Sequence, residues 1–249
     1  MIPKIIHYCW FGRGKMPELA LKCIASWHKY LPEYEYKLWN EDTFDINSVP
    51  YVKEAYEARK FAFITDYIRL WALNKFGGVY MDTDVEILRP LDEFIKLPAF
   101  TGYEASSSMA PVTGLMASAA NGVWVKEQLA YYDDKHFRRA DGTLDLTPNT
   151  ITISKIMTDN GFVIDGKYGV YKNDMHVFPV DYFCPLTSTR VLKLTANTAC
   201  IHHFAGSWVE RTPWQKFKNW FFEKVLGRKL TDKLVQVKRR MVGKWGGRI

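Results

Sequence analysis

Gly77-Gly78-Val79-Tyr80-Met81-Asp82-Thr83-Asp84 reads as the end of a helix, a short buried strand and a pair of carboxylates. The glycines punctuate a helical pattern, and the apolar Val79-Tyr80-Met81 runs straight into Asp82-Thr83-Asp84. Carboxylates at i and i+2 of an extended backbone point to one side, a geometry that suits a hard divalent cation. A solvated turn accounts equally well for a bare D-x-D. Context favours the ligand site, because open α/β sheets place ligands at the carboxyl ends of their strands. Two like charges taken out of water also need a compensating cation.

Working outward, Tyr51 to Phe76 reads as one helix, with Phe61, Ile64, Ile68, Trp71 and Leu73 at its apolar positions. Asp66 and Arg69 lie one turn apart on it. As an exposed pair they would contribute only about a few tenths of a kcal/mol. In so apolar a helix, a shared polar ligand is the better account, with Asp66 accepting from hydroxyls and Arg69 forking onto a hydroxyl or phosphate oxygen. Ile2 to Trp10 reads as a strand ending in the loop Phe11-Gly12-Arg13-Gly14. A helix opened by Pro17 and a strand over Tyr34 to Trp39 follow. Strand, helix, strand at this spacing predicts a βαβ unit and an α/β domain. Phe100 to Asn121 reads as a loop-rich connection, Asp133 to Pro148 as a surface excursion, and Ile151 to Met157 as a helix.

The 249 residues are 47% apolar, which excludes disorder and a disulfide-stapled miniprotein. The formal charge of +7 is unevenly placed: Glu210 to Ile249 carry 12 Lys/Arg against 3 Asp/Glu, leaving a slightly acidic body. The predicted division is a catalytic-size domain over 1–209 and a basic amphipathic helical tail over 210–249. Thr212-Pro213 opens one tail helix, with Trp214, Phe217, Trp220 and Phe221 on one face, and Thr231 caps a second with Leu234, Val237 and Met241. Aromatics opposite lysines suit an in-plane membrane helix. Packing on the domain's own core ranks close behind, and nucleic acid well below. Cys9, Cys23, Cys184 and Cys200 show no zinc spacing and read as reduced, buried thiols. No charged leader and no bilayer-length apolar run is evident. The expected location is cytoplasmic, peripheral on the inner face of the cell membrane.

The run Ala62-Phe63-Ile64-Thr65-Asp66-Tyr67-Ile68-Arg69-Leu70 followed by the D-x-D stretch resembles the sugar-binding region of glycosyltransferase family 32. It is also similar to the glucosyltransferase domains of large clostridial toxins. Ile2-Pro3-Lys4-Ile5-Ile6-His7-Tyr8-Cys9-Trp10-Phe11-Gly12 looks like that family's first strand, and His202-His203-Phe204-Ala205-Gly206-Ser207-Trp208 like its closing motif. The resemblance implies a GT-A fold, a Rossmann-like nucleotide-sugar-binding domain. It implies transfer of a hexose from a nucleotide sugar, UDP-linked by preference, with retention of configuration and with Mn2+ (or Mg2+) as cofactor. The acceptor it implies is a polysaccharide or lipid-linked oligosaccharide, as in capsule synthesis.

Residue by residue, the resemblance implies that Trp10 stacks on the base, where core packing is the alternative, and that Tyr8 and His7 line the same pocket. It places Asp66 and Arg69 on the donor sugar, Tyr80 near the nucleotide, Asp82 on ribose and metal-linked groups, and Asp84 on the metal. Ser207 and Trp208 would donate to a phosphate oxygen. The spacing His203-x-x-Gly206 resembles a metal-binding histidine motif, which favours His203 over His202 as third ligand, although the toxin domains carry an acidic residue there. Asn149 falls on the acceptor side or is a plain N-cap. With no covalent nucleophile evident, the implied reaction is front-face, with Asp66, Arg69, Asp82 and Asp84 carrying it. Two rivals differ in class. An aspartate-nucleophile phosphatase would need Thr or Val where Glu86 stands, and a non-catalytic carbohydrate- or nucleic-acid-binding module would not need this charged set.

Overall fold

The computed structural model describes residues 1–105, 109–187 and 190–206. The tail expected over 210–249, together with Ser207 and Trp208, lies outside the described residues. β1 (Ile5–Cys9), α1 (Glu18–Tyr30) and β2 (Glu35–Trp39) form the expected βαβ unit, with β1 and β2 parallel from Ile5–Glu35 to Cys9–Trp39. α1 buries Ala20, Cys23 and Trp27 at helical spacing.

The single helix expected from Tyr51 to Phe76 is two, α2 (Pro50–Glu57) and α3 (Phe61–Phe76). The break falls at Ala58-Arg59-Lys60, where Arg59 takes a left-handed φ of 56°. Apolar periodicity runs across it because both helices bury side chains in the same core: Tyr51, Val52 and Ala55, then Phe63, Ile64 and Ile68. Gly77 ends α3 at φ 65° and ψ −174°, a conformation open essentially to glycine. A Cβ there would also come within 2.8 Å of the Ala120 backbone nitrogen.

β3 (Gly78–Met81) then pairs in parallel with β1. After it come β4 (Val85–Ile87), β5 (Ala99–Gly102), β6 (Leu115–Ser118), α4 (Val123–Ala130), α5 (Asn149–Asp159), β7 (Gly169–Tyr171), β8 (Met175–Phe178), α6 (Val180–Phe183) and β9 (Cys200–His202). The main sheet has the order β2-β1-β3-β6-β5-β8-β7. Five of its strands run one way, and β6 and β7 run against them. The segment read as a loop-rich connection over Phe100 to Asn121 thus holds two buried strands. Small and hydroxylated residues hid them: Thr101 sits buried by donating from Oγ1 to the Leu115 carbonyl at 2.7 Å. A separate two-stranded sheet pairs β4 with β9, Val85 facing His202.

Two cores flank the main sheet. Tyr80 joins α2, α3 and α4 on one side, while Val79 and Met81 join α1, β4 and β9 on the other. All four cysteines are free and buried, and among the described residues no helix is long and apolar enough to cross a membrane.

His7, implied as a pocket residue, is instead fully buried in β1. Its Nδ1 accepts from Trp39 Nε1 at 3.2 Å, so its Nε2 donates to the Gly77 carbonyl at 2.8 Å. Burial pushes its pKa down to about 4, against about 6.5 in an unfolded chain. Between those values the unfolded state binds the extra proton, so stability falls with falling pH. The expected loss attributable to His7 is about 3 kcal/mol from pH 6.5 to 4. Urea denaturation across that window should show a pH slope that His7→Gln, which can keep both hydrogen bonds, flattens.

Candidate functional site

β1 and β3 end side by side at one end of the sheet, and there Asp82-Thr83-Asp84 makes a turn into β4 rather than continuing the strand. Asp82 N–H donates to the Gly114 carbonyl at 2.8 Å, and Val85 N–H closes the turn on the Asp82 carbonyl at 3.0 Å. Pairing of β4 with β9 then brings His202 over the turn. One ligand atom each from Asp82, Asp84 and His202 lie within 4.8 Å of one another. His202 Nε2 is 3.5 Å from Asp84 Oδ1 and 4.0 Å from Asp82 Oδ2, with the Thr113 hydroxyl 3.3 Å from its Nδ1.

Charge is densely compensated here. Burial favours a neutral His202, but Asp84, Cys184 and Asp82 outweigh it and hold the imidazole up at about 10. Burial likewise works against ionised Asp84, yet His202 and the Ala205 N–H at 2.7 Å keep its carboxyl below the usual range. Two carboxylates and one imidazole so close together form a donor set suited to Mn2+ or Mg2+.

Behind this group, Arg69 is buried in α3. Its Nε donates to the Thr65 carbonyl at 3.2 Å, and its Nη2 reaches Asp82 Oδ1 at 3.1 Å and Asp66 Oδ1 at 3.5 Å. Its guanidinium carbon lies 4.7 Å from the Tyr80 ring centroid, and Tyr80 donates its hydroxyl to the same Asp82 oxygen at 3.0 Å. Burial opposes the charge on Arg69, but Asp82 leads a set of neighbours that keep it protonated. Asp66 is the less compensated partner: burial pushes its carboxyl up to about 6, with Arg69 and the Asn149 N–H at 3.3 Å acting the other way.

The structure therefore brings Asp66, Arg69, Tyr80, Asp82 and Asp84 together. Tyr80 is buried as a support for Asp82 rather than open to a nucleotide. His203, the expected third ligand, is not in the group. Successive strand residues point to opposite sides, so His202 enters and the His203 ring turns to Glu86, with Nε2 2.8 Å from Oε2. Tyr8 is half-buried, edge-on to Trp27 at 5.4 Å. Trp10 is half-buried beyond the end of β1, its Nε1 donating to the Gly14 carbonyl at 2.6 Å. Asn149 is the first residue of α5, its side-chain nitrogen buried without a partner.

Gly114 and the Ala205 N–H went unread in the sequence, and nothing local there marks them. A Cβ at Gly114 would fall 3.0 Å from Asp82 Oδ2 and 3.1 Å from the His202 ring. Gly114→Val should weaken Mn2+ binding by about tenfold or more, read by titration, and lower the melting temperature by overpacking a buried position.

Comparison with known proteins follows the same line. Residues 17–101 match the family model described as the glycosyltransferase sugar-binding region containing DXD motif. Inositol phosphoceramide mannosyltransferase 3 of Schizosaccharomyces pombe is 31% identical over 113 residues, 44% of this chain and 32% of that protein. Mannosyl phosphorylinositol ceramide synthase CSH1 of Saccharomyces cerevisiae is 33% identical over 104 residues, 40% of this chain and 27% of that protein. The match thus spans a third or less of these relatives. A glycosyltransferase involved in glycosylating the major capsid of PBCV-1 superposes with a TM-score of 0.51 at 15% identity, over 83% of this chain and 95% of the other. The resemblance seen in the sequence and the α/β glycosyltransferase fold it implies are both borne out.

Proposed function

We propose that the protein is a metal-dependent, retaining glycosyltransferase that moves a hexose from a nucleoside-diphosphate sugar, UDP-linked in the first instance, to a polysaccharide or lipid-linked glycan. The observation that carries this reading is the Asp82, Asp84 and His202 group at the carboxyl end of β3, backed by the Asp66–Arg69 pair. Asp82, Asp84 and His202 would hold Mn2+ (or Mg2+), with His202 taking the place first given to His203. When bound, that ion supplies Lewis-acid neutralisation of charge on the diphosphate leaving group.

The remaining work falls to the chain itself. Arg69 fixes Asp82 through the shared oxygen and keeps a permanent positive charge beside the donor. Asp66, ionised above about pH 6, accepts from hydroxyls of the donor sugar, and Trp10 offers a π-face to the base. Retention follows a front-face course in which the acceptor hydroxyl attacks from the side the diphosphate leaves and passes its proton to that departing phosphate. Ser207, Trp208 and the tail from 210 would add phosphate contacts and attachment to a membrane surface. The relatives named for inositol phosphoceramide favour a membrane-bound acceptor.

The test is release of nucleoside diphosphate from a panel of UDP- and GDP-linked sugars, with Mn2+ and with EDTA. Metal-dependent turnover of at least one donor is expected, and the anomeric configuration of the product, read by NMR, should match the donor's. No turnover of any donor with any divalent ion would sink the enzyme reading. Liposome flotation of the intact chain against one ending near Trp208 tests the tail, and equal partitioning rules out the anchor.

A further inference from the structure

The segment that carries the Ala205 N–H to Asp84 has no regular structure of its own. It leaves β9 at His202, turns through Phe204 at a left-handed φ of 49°, and reaches Gly206 at φ 58°. Such a backbone holds its place only if its surroundings fix it. One fastening is the His203 N–H on the Asp84 carbonyl at 3.0 Å, and another is the His203 ring on Glu86.

A third comes from outside the motif. Arg190 donates from Nη1 to the His203 carbonyl at 2.5 Å and from Nη2 to the Phe204 carbonyl at 3.3 Å. One guanidinium thus spans two successive carbonyls immediately before Ala205. Arg190 is itself held: its N–H donates to the Thr187 carbonyl at 2.8 Å, Thr187 and Val191 exchange hydrogen bonds, and Leu186 bridges Leu192. The planar fork of arginine suits a two-carbonyl clamp, and a lysine ammonium does not reproduce it.

We infer that Arg190 is a positioning residue for the Asp84 site. By clamping the His203 and Phe204 carbonyls, it aims the Ala205 N–H at Asp84 Oδ2 and so sets the orientation in which that carboxylate meets a divalent ion. The inference rests on the metal-dependent reading above. Groups that orient a ligand from behind typically matter about 10- to 100-fold in metal affinity.

Arg190 sits at φ 64°, so Arg190→Asn is the informative variant, because asparagine tolerates that backbone while removing the guanidinium. Binding of Mn2+ to the full chain without donor, followed by loss of the free-ion EPR signal, should weaken by about tenfold in Arg190→Asn. Arg190→Lys should fall between it and wild type. With turnover measured against Mn2+ concentration, the half-saturating concentration should rise and kcat at saturating Mn2+ should stay within about twofold. Unchanged Mn2+ affinity in Arg190→Asn overturns the inference. So does a loss of kcat that excess Mn2+ fails to restore, which would put Arg190 on the donor itself. Should Arg190→Asn melt below the assay temperature, Arg190→Lys is judged on the same two readings. A wild-type chain that binds no Mn2+ removes the metal-dependent reading together with this one, whereas wild-type binding matched by the variants removes this one alone.

Discussion

Asp84→Ala is expected to lower metal-dependent sugar transfer by about a thousandfold or more while the chain still folds. Asp84 is held at both oxygens, with the Ala205 N–H at 2.7 Å on one and His202 3.5 Å from the other. Its loss removes one of the three candidate ligands and the acceptor that holds the Ala205 N–H. A bound cation stabilises the departing diphosphate by several kcal/mol, and about 1.4 kcal/mol corresponds to tenfold in rate. Steady-state turnover at saturating Mn2+ measures the effect. A variant within tenfold of wild type, with an unchanged melting temperature, would remove Asp84 from the reaction. Asp84→Asn should fall between the two, since it can still accept from Ala205 but brings no charge to the ion.

Arg69→Met is expected to cost about 3–5 kcal/mol of folding stability, apart from any loss of activity. The guanidinium reaches Asp66 and Asp82 at once, and methionine fills a similar volume without charge. Asp66 is 8% exposed and would lose its cation, keeping only the Asn149 N–H, so that ionising it becomes costly. The penalty has a pH signature. Burial already raises the Asp66 carboxyl to about 6, and loss of Arg69 raises it further. A carboxyl with an elevated folded pKa contributes full stability while protonated, and that stability is lost as pH rises through the folded value. The deficit of the variant should therefore shrink toward pH 5 and widen toward pH 8. Adding Asp66→Asn should recover part of it. Urea denaturation at the two pH values measures this, and a deficit under about 1 kcal/mol at pH 8 would mean the pair behaves as a solvated one.

The parts legible in the sequence were those written in local pattern. The βαβ unit, β3 with its terminal carboxylates, and the Asp66–Arg69 spacing on a helix all lie within a few turns of chain, and the structure keeps each of them. Long-range partners decided what was missed. Which of two adjacent histidines faces the carboxylates depends on the register of β9 against β4, which sets Val85 opposite His202. No feature near residue 202 encodes that register. β5 and β6 escaped notice because their buried faces are made of Ala, Gly, Ser and Thr as much as of branched residues. The break between α2 and α3 was masked by apolar positions that continue in phase beyond it. The need for glycine at 114 comes from Asp82 and His202, which lie far from it in the chain and beside it in the fold.

The pairing of β4 with β9 also has a consequence for how the protein comes into being. Every strand of the seven-stranded sheet has been synthesised once the chain reaches Phe178. Asp82 and Asp84 are by then long made, but His202 and Ala205 lie further along the chain, beyond the last strand of that sheet. A nascent or truncated chain ending before Cys200 would carry the whole sheet and both carboxylates without the groups that complete their site. The candidate cation site of such a chain is therefore incomplete although its main sheet is not.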